Sequence, residues 1–211
     1  MTAATAPIRA AVFDIGGVLL DWDPRHLYRK LIDDEDEMER FLADICTLEW
    51  HAGHDLGVPF ATSCARLAAA HPECSELIWA WGRRSEEMVT GPIVGSVQIL
   101  RELQRNGIQC YALTNMESET YPLRLERYDF LRWFDGTVVS SAEGVAKPDP
   151  VIFERLLERF GLPPETTVMI DDNADNVCAA GSLGMQVVKF ESPEQLRSWL
   201  AGAGALGRRP E

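Results

Sequence analysis

Several polar groups stand where apolar runs stop. Ile8 to Phe13 is apolar apart from Arg9 and halts at Asp14. Ile108 to Thr114 runs into Asn115, and Thr166 to Ile170 runs into Asp171 and Asp172. Lys147 lies in the loop Gly144-Val145-Ala146-Lys147-Pro148, ahead of a helical pattern. Three carboxylates gathered in one partly buried place repel one another and are costly without a cation. Oxygen-only ligands suit a hard divalent ion, and Mg²⁺ is the natural choice where phosphate also binds. Lys147 is suited to neutralising a nucleophile and a transferring group. Thr114 and the Asn115 amide are suited to phosphoryl oxygens, Asn115 from a helix N-terminus. Each has a plainer reading beside this one: helix caps for Asp171, Asp172 and Asn115, and a solvated loop lysine for Lys147.

What must position these groups is an alternation of strands and helices. Ile8 to Phe13, Ile108 to Thr114, Val138 with Val139, Thr166 to Ile170 and Gln186 to Phe190 read as strands. Between them lie helical patterns. Val94, Val97, Leu100 and Leu103 share one spacing, and Phe153, Leu156, Leu157 and Phe160 share another, closed by Gly161. Ala174 to Leu183 and Pro193 to Leu200 read as further helices, and the tail after Ala201 as fraying. Such alternation predicts an α/β fold with a Rossmann-like parallel sheet covered by helices on both faces. Strand ends of a parallel sheet meet at one edge, so the polar groups converge. From about Trp22 to Thr90 the chain is polar, aromatic and helical. The expected organisation is a core domain of residues 1–20 and 91–211, with residues 21–90 forming a small helical cap over that edge, where open α/β sheets bind ligands.

The chain of 211 residues has a net charge of −13. Such acidity repels nucleic acid and anionic membranes, so neither is an expected partner. An anionic substrate then needs local positive charge. The five cysteines are an odd number without a CxxC pair, which argues against a disulfide framework or a zinc site. Cys110 and Cys178 read as core residues. No apolar run approaches the ~20 residues of a membrane span. Met1 to Arg9 lacks the pattern of a secretory signal, which predicts a cytoplasmic protein, as a monomer or homodimer.

The residues also carry a resemblance. Phe13-Asp14-Ile15-Gly16-Gly17-Val18 looks like the first motif of the haloacid dehalogenase (HAD) superfamily, Leu113-Thr114-Asn115 its second, Lys147-Pro148 its third and Ile170-Asp171-Asp172-Asn173-Ala174-Asp175-Asn176 its fourth. All stand in order, and the resemblance covers roughly residues 8 to 200. Within the superfamily the chain resembles small bacterial sugar-phosphate phosphatases, including an α-glucose-1-phosphatase type. The resemblance implies a Mg²⁺-dependent phosphatase of small phosphate monoesters. Asp14 attacks phosphorus and forms an aspartyl-phosphate that water hydrolyses. Asp14, the Gly16 carbonyl, Asp172 and, directly or through water, Asp171 hold the metal. Thr114, Asn115 and Lys147 hold the phosphoryl oxygens.

One position departs from the pattern. Most phosphatases of the superfamily carry a second Asp two residues after the nucleophile, which protonates the leaving group; here that residue is Gly16. Loss of such an acid costs ~10²–10⁴-fold. Three resolutions are open: a cap residue such as His51, His54 or Asp55 supplies the proton, Asp21 or Asp23 reaches back, or the substrate has a good leaving group such as an anomeric phosphate, the resolution that best fits the resemblance. The competing functions are a metal-independent 2-haloacid dehalogenase, in which Arg25 clamps a carboxylate, and a non-catalytic regulatory protein on the same fold. Substrate choice is expected from the cap, with Arg25, Trp50, His51 and His54 as candidates alongside Trp22 and His26. His51 and His54 are spaced for a metal, but no third ligand is evident from spacing.

Overall fold

The computed structural model describes residues 6–207. Five parallel strands form the main sheet in the order β5-β4-β1-β6-β7. They are β1 Ala10–Phe13, β4 Gln109–Thr114, β5 Gly136–Val139, β6 Thr167–Asp171 and β7 Gln186–Lys189. β1 is central, with Phe13 level with Ala112 of β4 on one side and Ile170 of β6 on the other. The three strands end at one edge of the sheet, and Asp14, Asn115 and Asp172 are the residues that follow them.

The strands are apolar on both faces because both faces are covered. Side chains alternate along each strand. Ala11, Phe13, Cys110, Ala112, Val168 and Ile170 face one layer, with Ile99 and Leu103 of helix Val94–Arg105 and Leu196 of helix Pro193–Gly202. Ala10, Val12, Tyr111, Leu113 and Met169 face the other, with Phe153 and Leu156 of helix Pro150–Phe160 and Ala180 of helix Ala174–Ser182. This is the expected parallel sheet with flanking helices. Gly161 ends its helix at φ 63°, a left-handed conformation that costs glycine little.

Some expectations need correction. Val94 begins its helix but is 60% exposed; the buried stripe is Ser96, Ile99, Leu100 and Leu103. Cys178 is exposed, because its helix turns Asn176 and Ala180 inward instead. The segment after Ala201 does not simply fray: the helix runs to Gly202, and Ala205 and Leu206 are buried against the core. Residues 208–211 of that tail lie outside the described residues.

Two short strands were not legible from pattern. β2 Leu20–Trp22 and β3 Val89–Pro92 pair antiparallel as a separate ribbon. Between them lie helices Arg25–Tyr28, Glu35–Asp44, Leu48–Asp55, Phe60–Ala70 and Ser75–Arg83. These helices have an apolar cluster of their own, centred on Tyr28, Phe41, Phe60, Ile78 and Trp81. The Tyr28 hydroxyl, buried there, donates to the Leu77 carbonyl at 2.9 Å. Trp22 packs against this cluster and against the sheet core alike. Among the described residues no helix is long and apolar enough to cross a membrane.

Candidate active site

Asp14 follows the central strand directly. Its backbone N–H donates to the Ile170 carbonyl at 2.9 Å, which continues the sheet pairing one residue past the strand. Its Oδ1 accepts the Ile15 N–H at 2.7 Å, and its Oδ2 stands 3.1 Å from Lys147 Nζ. Lys147 has no exposed side-chain surface and makes two further bonds, to Asp171 Oδ2 at 2.7 Å and to the Leu113 carbonyl at 2.9 Å. All three ammonium donors are thus used. Burial alone would lower this ammonium, but Asp14 and Asp171 outweigh it and hold it above its ordinary value. Burial pushes the Asp14 carboxyl up to about 7, against Lys147 and with help from Asp171 and Asp172.

The Lys147 loop is fixed by Asn115. The Asn115 Nδ2 donates to the Lys147 carbonyl and its Oδ1 accepts the Lys147 N–H, both at 2.9 Å. This reciprocal clasp ties the end of β4 to the loop before helix Pro150–Phe160. It also changes the expected role of Asn115. No helix starts there: the next one, Tyr121–Arg127, begins six residues later with Thr120 at its N-cap and Pro122 in its first turn. The Asn115 side chain is occupied with Lys147, while the residue still lines the cavity at the sheet edge.

Asp171 and Asp172 differ. Asp171 is fully buried; its Oδ1 accepts from the Asn173 N–H and the Asn176 side chain, both at 2.9 Å, and its Oδ2 from Lys147. With both oxygens engaged, it holds Lys147 in place. Asp172 lines the cavity and is exposed. It packs over Gly17, where an added Cβ would collide with its carboxylate. Gly17 has φ 70°, so backbone and space both require glycine here. Oxygens of Asp14, Asp171 and Asp172 all lie within 4.8 Å of one another, close enough to share a cation. Thr114 is 1% exposed, its hydroxyl meets only the Asn115 carbonyl at 3.5 Å, and it does not line the cavity. By alternation it falls on the same face of the strand as Cys110 and Ala112.

The cavity occupies about 720 Å³ and runs from Asp14, Gly16, Lys147 and Asp172 up to the helices. Helix Leu48–Asp55 overhangs it, started by Thr47, whose hydroxyl accepts the Trp50 N–H at 3.0 Å. His51 and Asp55, one turn apart, line the cavity. Trp50 and His54 do not; they pack on each other at 4.6 Å, and on Trp81 and Phe60 respectively. Arg25 lines the cavity with its guanidinium committed to Glu39, at 2.6 and 2.7 Å, and to Asp23 at 3.3 Å. Asp21 is tied to Thr90 and His26 outside the cavity.

Sequence reasoning missed Glu117. It comes from the irregular stretch after β4, and its Oε1 stands 3.5 Å from His51 Nε2. His51, Asp55 and Glu117 form a second group whose polar atoms lie within 4.8 Å of one another. Spacing along the chain gave no signal, because Glu117 reaches the helix only through the fold.

A family model described as haloacid dehalogenase-like hydrolase matches residues 8–184. The sesquiterpene phosphatase astK of Aspergillus oryzae is 27% identical over 189 residues, covering 84% of this chain and 87% of its own. A phosphorylated carbohydrates phosphatase of Thermotoga maritima is 24% identical over 188 residues, covering 85% and 83%. Two longer relatives are spanned over only 18% and 36% of their own length. A HAD family enzyme of Bacteroides thetaiotaomicron, solved with magnesium and inorganic phosphate, shares the fold with a TM-score of 0.64 at 21% identity, covering 88% of this chain and 95% of that one.

Proposed function

Because the chain belongs to the haloacid dehalogenase-like hydrolases, we propose that it is a Mg²⁺-dependent phosphatase of small phosphate monoesters, with Asp14 as the nucleophile. The observation that carries this reading is Asp14 Oδ2 at 3.1 Å from the buried Lys147 ammonium, at the floor of a cavity that Asp172 also lines. Lys147 orients the attacking carboxylate and screens charge as the oxygen approaches phosphorus. Asp171 and Asn115 position Lys147, one through its ammonium and the other through its backbone.

The residues fit a divalent cation. Three carboxylates face one ammonium here, and a phosphate ester brings further negative charge. Gly17, lacking a Cβ, leaves the space that the Asp172 carboxylate fills. Asp14, Asp172 and the Gly16 carbonyl would hold Mg²⁺, with Asp171 behind them. Bound there, the ion supplies charge neutralisation for the phosphoryl oxygens. The magnesium and phosphate complex of the Bacteroides enzyme supports this assignment.

We take the helices between β2 and β3 as the cap that selects the alcohol. Sugar phosphates are the first class to test, in line with the relative that acts on phosphorylated carbohydrates. A second class is favoured by the cavity wall, where Leu20, Leu42, Cys46, Leu48 and Val89 present an apolar surface suited to an aliphatic alcohol; a sesquiterpene phosphatase is among the relatives. The dehalogenase reading has weaker support, since Arg25 already serves Glu39 and Asp23.

The deciding experiment is a panel of sugar and prenyl monophosphates with Mg²⁺, run beside Asp14→Asn and beside chelator. Phosphate release that vanishes in Asp14→Asn and with EDTA is expected. Chelator-insensitive halide release from 2-chloropropionate would replace this reading with the dehalogenase. No turnover on any ester, with no aspartyl-phosphate mimic formed with BeF₃⁻, would favour the regulatory one.

A further inference from the structure

Gly16 leaves the leaving group without a proton donor at the usual place. An in-line attack by Asp14 drives the departing oxygen away from the sheet edge, toward whatever covers it. There the cavity is overhung by helix Leu48–Asp55, whose last residue is Asp55. The end of that helix is seated on the core: a Cβ added at Gly57 would lie 3.3 Å from the Ser141 carbonyl. Resting on the phosphatase reading above, we propose that Asp55 is the general acid and base of this site, donating its carboxyl proton to the departing alcohol oxygen.

The surroundings of Asp55 suit that task. Its residue surface is 9% exposed, and its Oδ1 is buried with no hydrogen-bond partner. An ionised carboxylate left so is costly, so the group keeps its proton. The charged and titratable groups around it come from every neighbouring element. His51 of the same helix has Nε2 3.9 Å from Asp55 Oδ1, beyond a hydrogen bond, and burial lowers it to about 4, so it is neutral. Glu117, after β4, faces His51 and is anchored by the Thr120 hydroxyl at 2.6 Å. Asp14 follows β1, and Lys147 is committed to Asp14 and Asp171. Burial first, then Glu117 and Asp14 against a weaker Lys147, push Asp55 up to about 8. Of the other cap candidates, His54 lies outside the cavity, and neutral His51 has no proton to give without becoming anionic.

The steps balance. Asp14 forms a bond to phosphorus, the P–O bond to the alcohol breaks, and the Asp55 proton passes to that oxygen. The Asp55 carboxylate then takes a proton from the water that attacks the aspartyl-phosphate from the same side. The P–O bond to Asp14 breaks, inorganic phosphate leaves, and both carboxyls return to their starting states.

The test uses phenyl phosphate, whose leaving group needs a proton, and p-nitrophenyl phosphate, whose leaving group needs little help. In the Mg²⁺-loaded protein, Asp55→Asn is expected to lower kcat/KM for phenyl phosphate by ~10²-fold or more while p-nitrophenyl phosphate loses less than about tenfold. Equal losses on both esters would overturn the assignment and leave Asp55 as a structural residue. Should the variant not fold, the wild-type pH profiles decide. An alkaline limb near pH 8 seen for phenyl phosphate alone supports Asp55; a limb common to both esters, or to neither, sinks it. Wild type hydrolysing neither ester with Mg²⁺ would remove the phosphatase reading and this step together. Active wild type with a dead Asp14→Asn and an unselective Asp55→Asn would remove this step alone.

Discussion

Lys147 Nζ lies 2.7 Å from Asp171 Oδ2, and neither side chain has any exposed surface. Breaking a buried pair by removing one partner strands the other's charge, at ~3–5 kcal/mol. Here removal strands Asp171 and Asp14 together. Lys147→Met is therefore expected to lower the melting temperature by ~6–20 °C and to abolish turnover. A folded Lys147→Met with unchanged melting temperature in calorimetry would contradict the pairing.

Asp171 supports while Asp172 faces the cavity, so their neutral variants should separate. Asp171→Asn is expected to weaken apparent Mg²⁺ affinity ~10–100-fold, as loss of a supporting contact does. Asp172→Asn, which removes a proposed ligand, should lose more. Activity followed through a Mg²⁺ titration reads both. Overlay of the Asp171→Asn curve on wild type would show that holding Lys147 is unimportant.

Gly17 combines φ 70° with a carboxylate where its Cβ would be. Gly17→Ala should cost ~1–2 kcal/mol of backbone strain and displace Asp172, so Mg²⁺-dependent turnover falls at least as far as in Asp172→Asn. Denaturant melts and the same titration check both halves.

Gly16 is different, because nothing stands closer than Trp22 Cβ at 3.9 Å to an added Cβ, and its φ is ordinary. A side-chain Cβ at position 16 is therefore accommodated. In the Asp55→Asn background, Gly16→Asp should raise kcat on esters of poorly acidic alcohols, by about tenfold or more if the new carboxyl acts as general acid, and leave p-nitrophenyl phosphate nearly unaffected. Parallel assays on the two ester types decide.

Stability of the metal-free protein should depend on pH in a defined way. His51 and His54, buried, are lowered to about 4, so the unfolded chain binds their protons between pH ~4 and ~6.5 and the folded one does not; stability rises with pH in that window. Asp14, raised to about 7, and Asp55, raised to about 8, keep their protons only when folded; stability falls from pH ~4 until each ionises. The four oppose one another below ~6.5, and only the carboxyls act above it. Urea midpoints should be nearly flat across the lower window and decline from pH ~6.5 to ~8, with Mg²⁺ relieving the Asp14 share. A midpoint that climbs through pH 7–8 would contradict the buried carboxyls.

How far the sequence went depended on the kind of signal. Asp14 and Asp172 were legible because largely apolar runs stop at Asp14 and at the Asp171-Asp172 pair, and a parallel sheet has one edge where such stops gather. Lys147 needed the resemblance as well, since a loop lysine carries no pattern. Glu117 was invisible because its position rests on the irregular path after β4. Thr114 is set apart from Asn115 because it is the last residue of β4 and is buried, while Asn115 lines the cavity. β2 and β3 escaped because Leu-Asp-Trp and Val-Thr-Gly-Pro are too short and mixed to show a period.

That small ribbon has a wider consequence. Leu20 pairs with Pro92 and Trp22 with Val89, so the chain departs and comes back through one doorway, its two jambs about 4.8 Å apart. A segment whose ends already meet puts no pull on the strand carrying Asp14, however many turns of helix lie inside it. Apart from Leu48–Asp55, which carries Asp55, those helices are free to be lengthened, exchanged or grafted from another chain while the chemistry below stays in register.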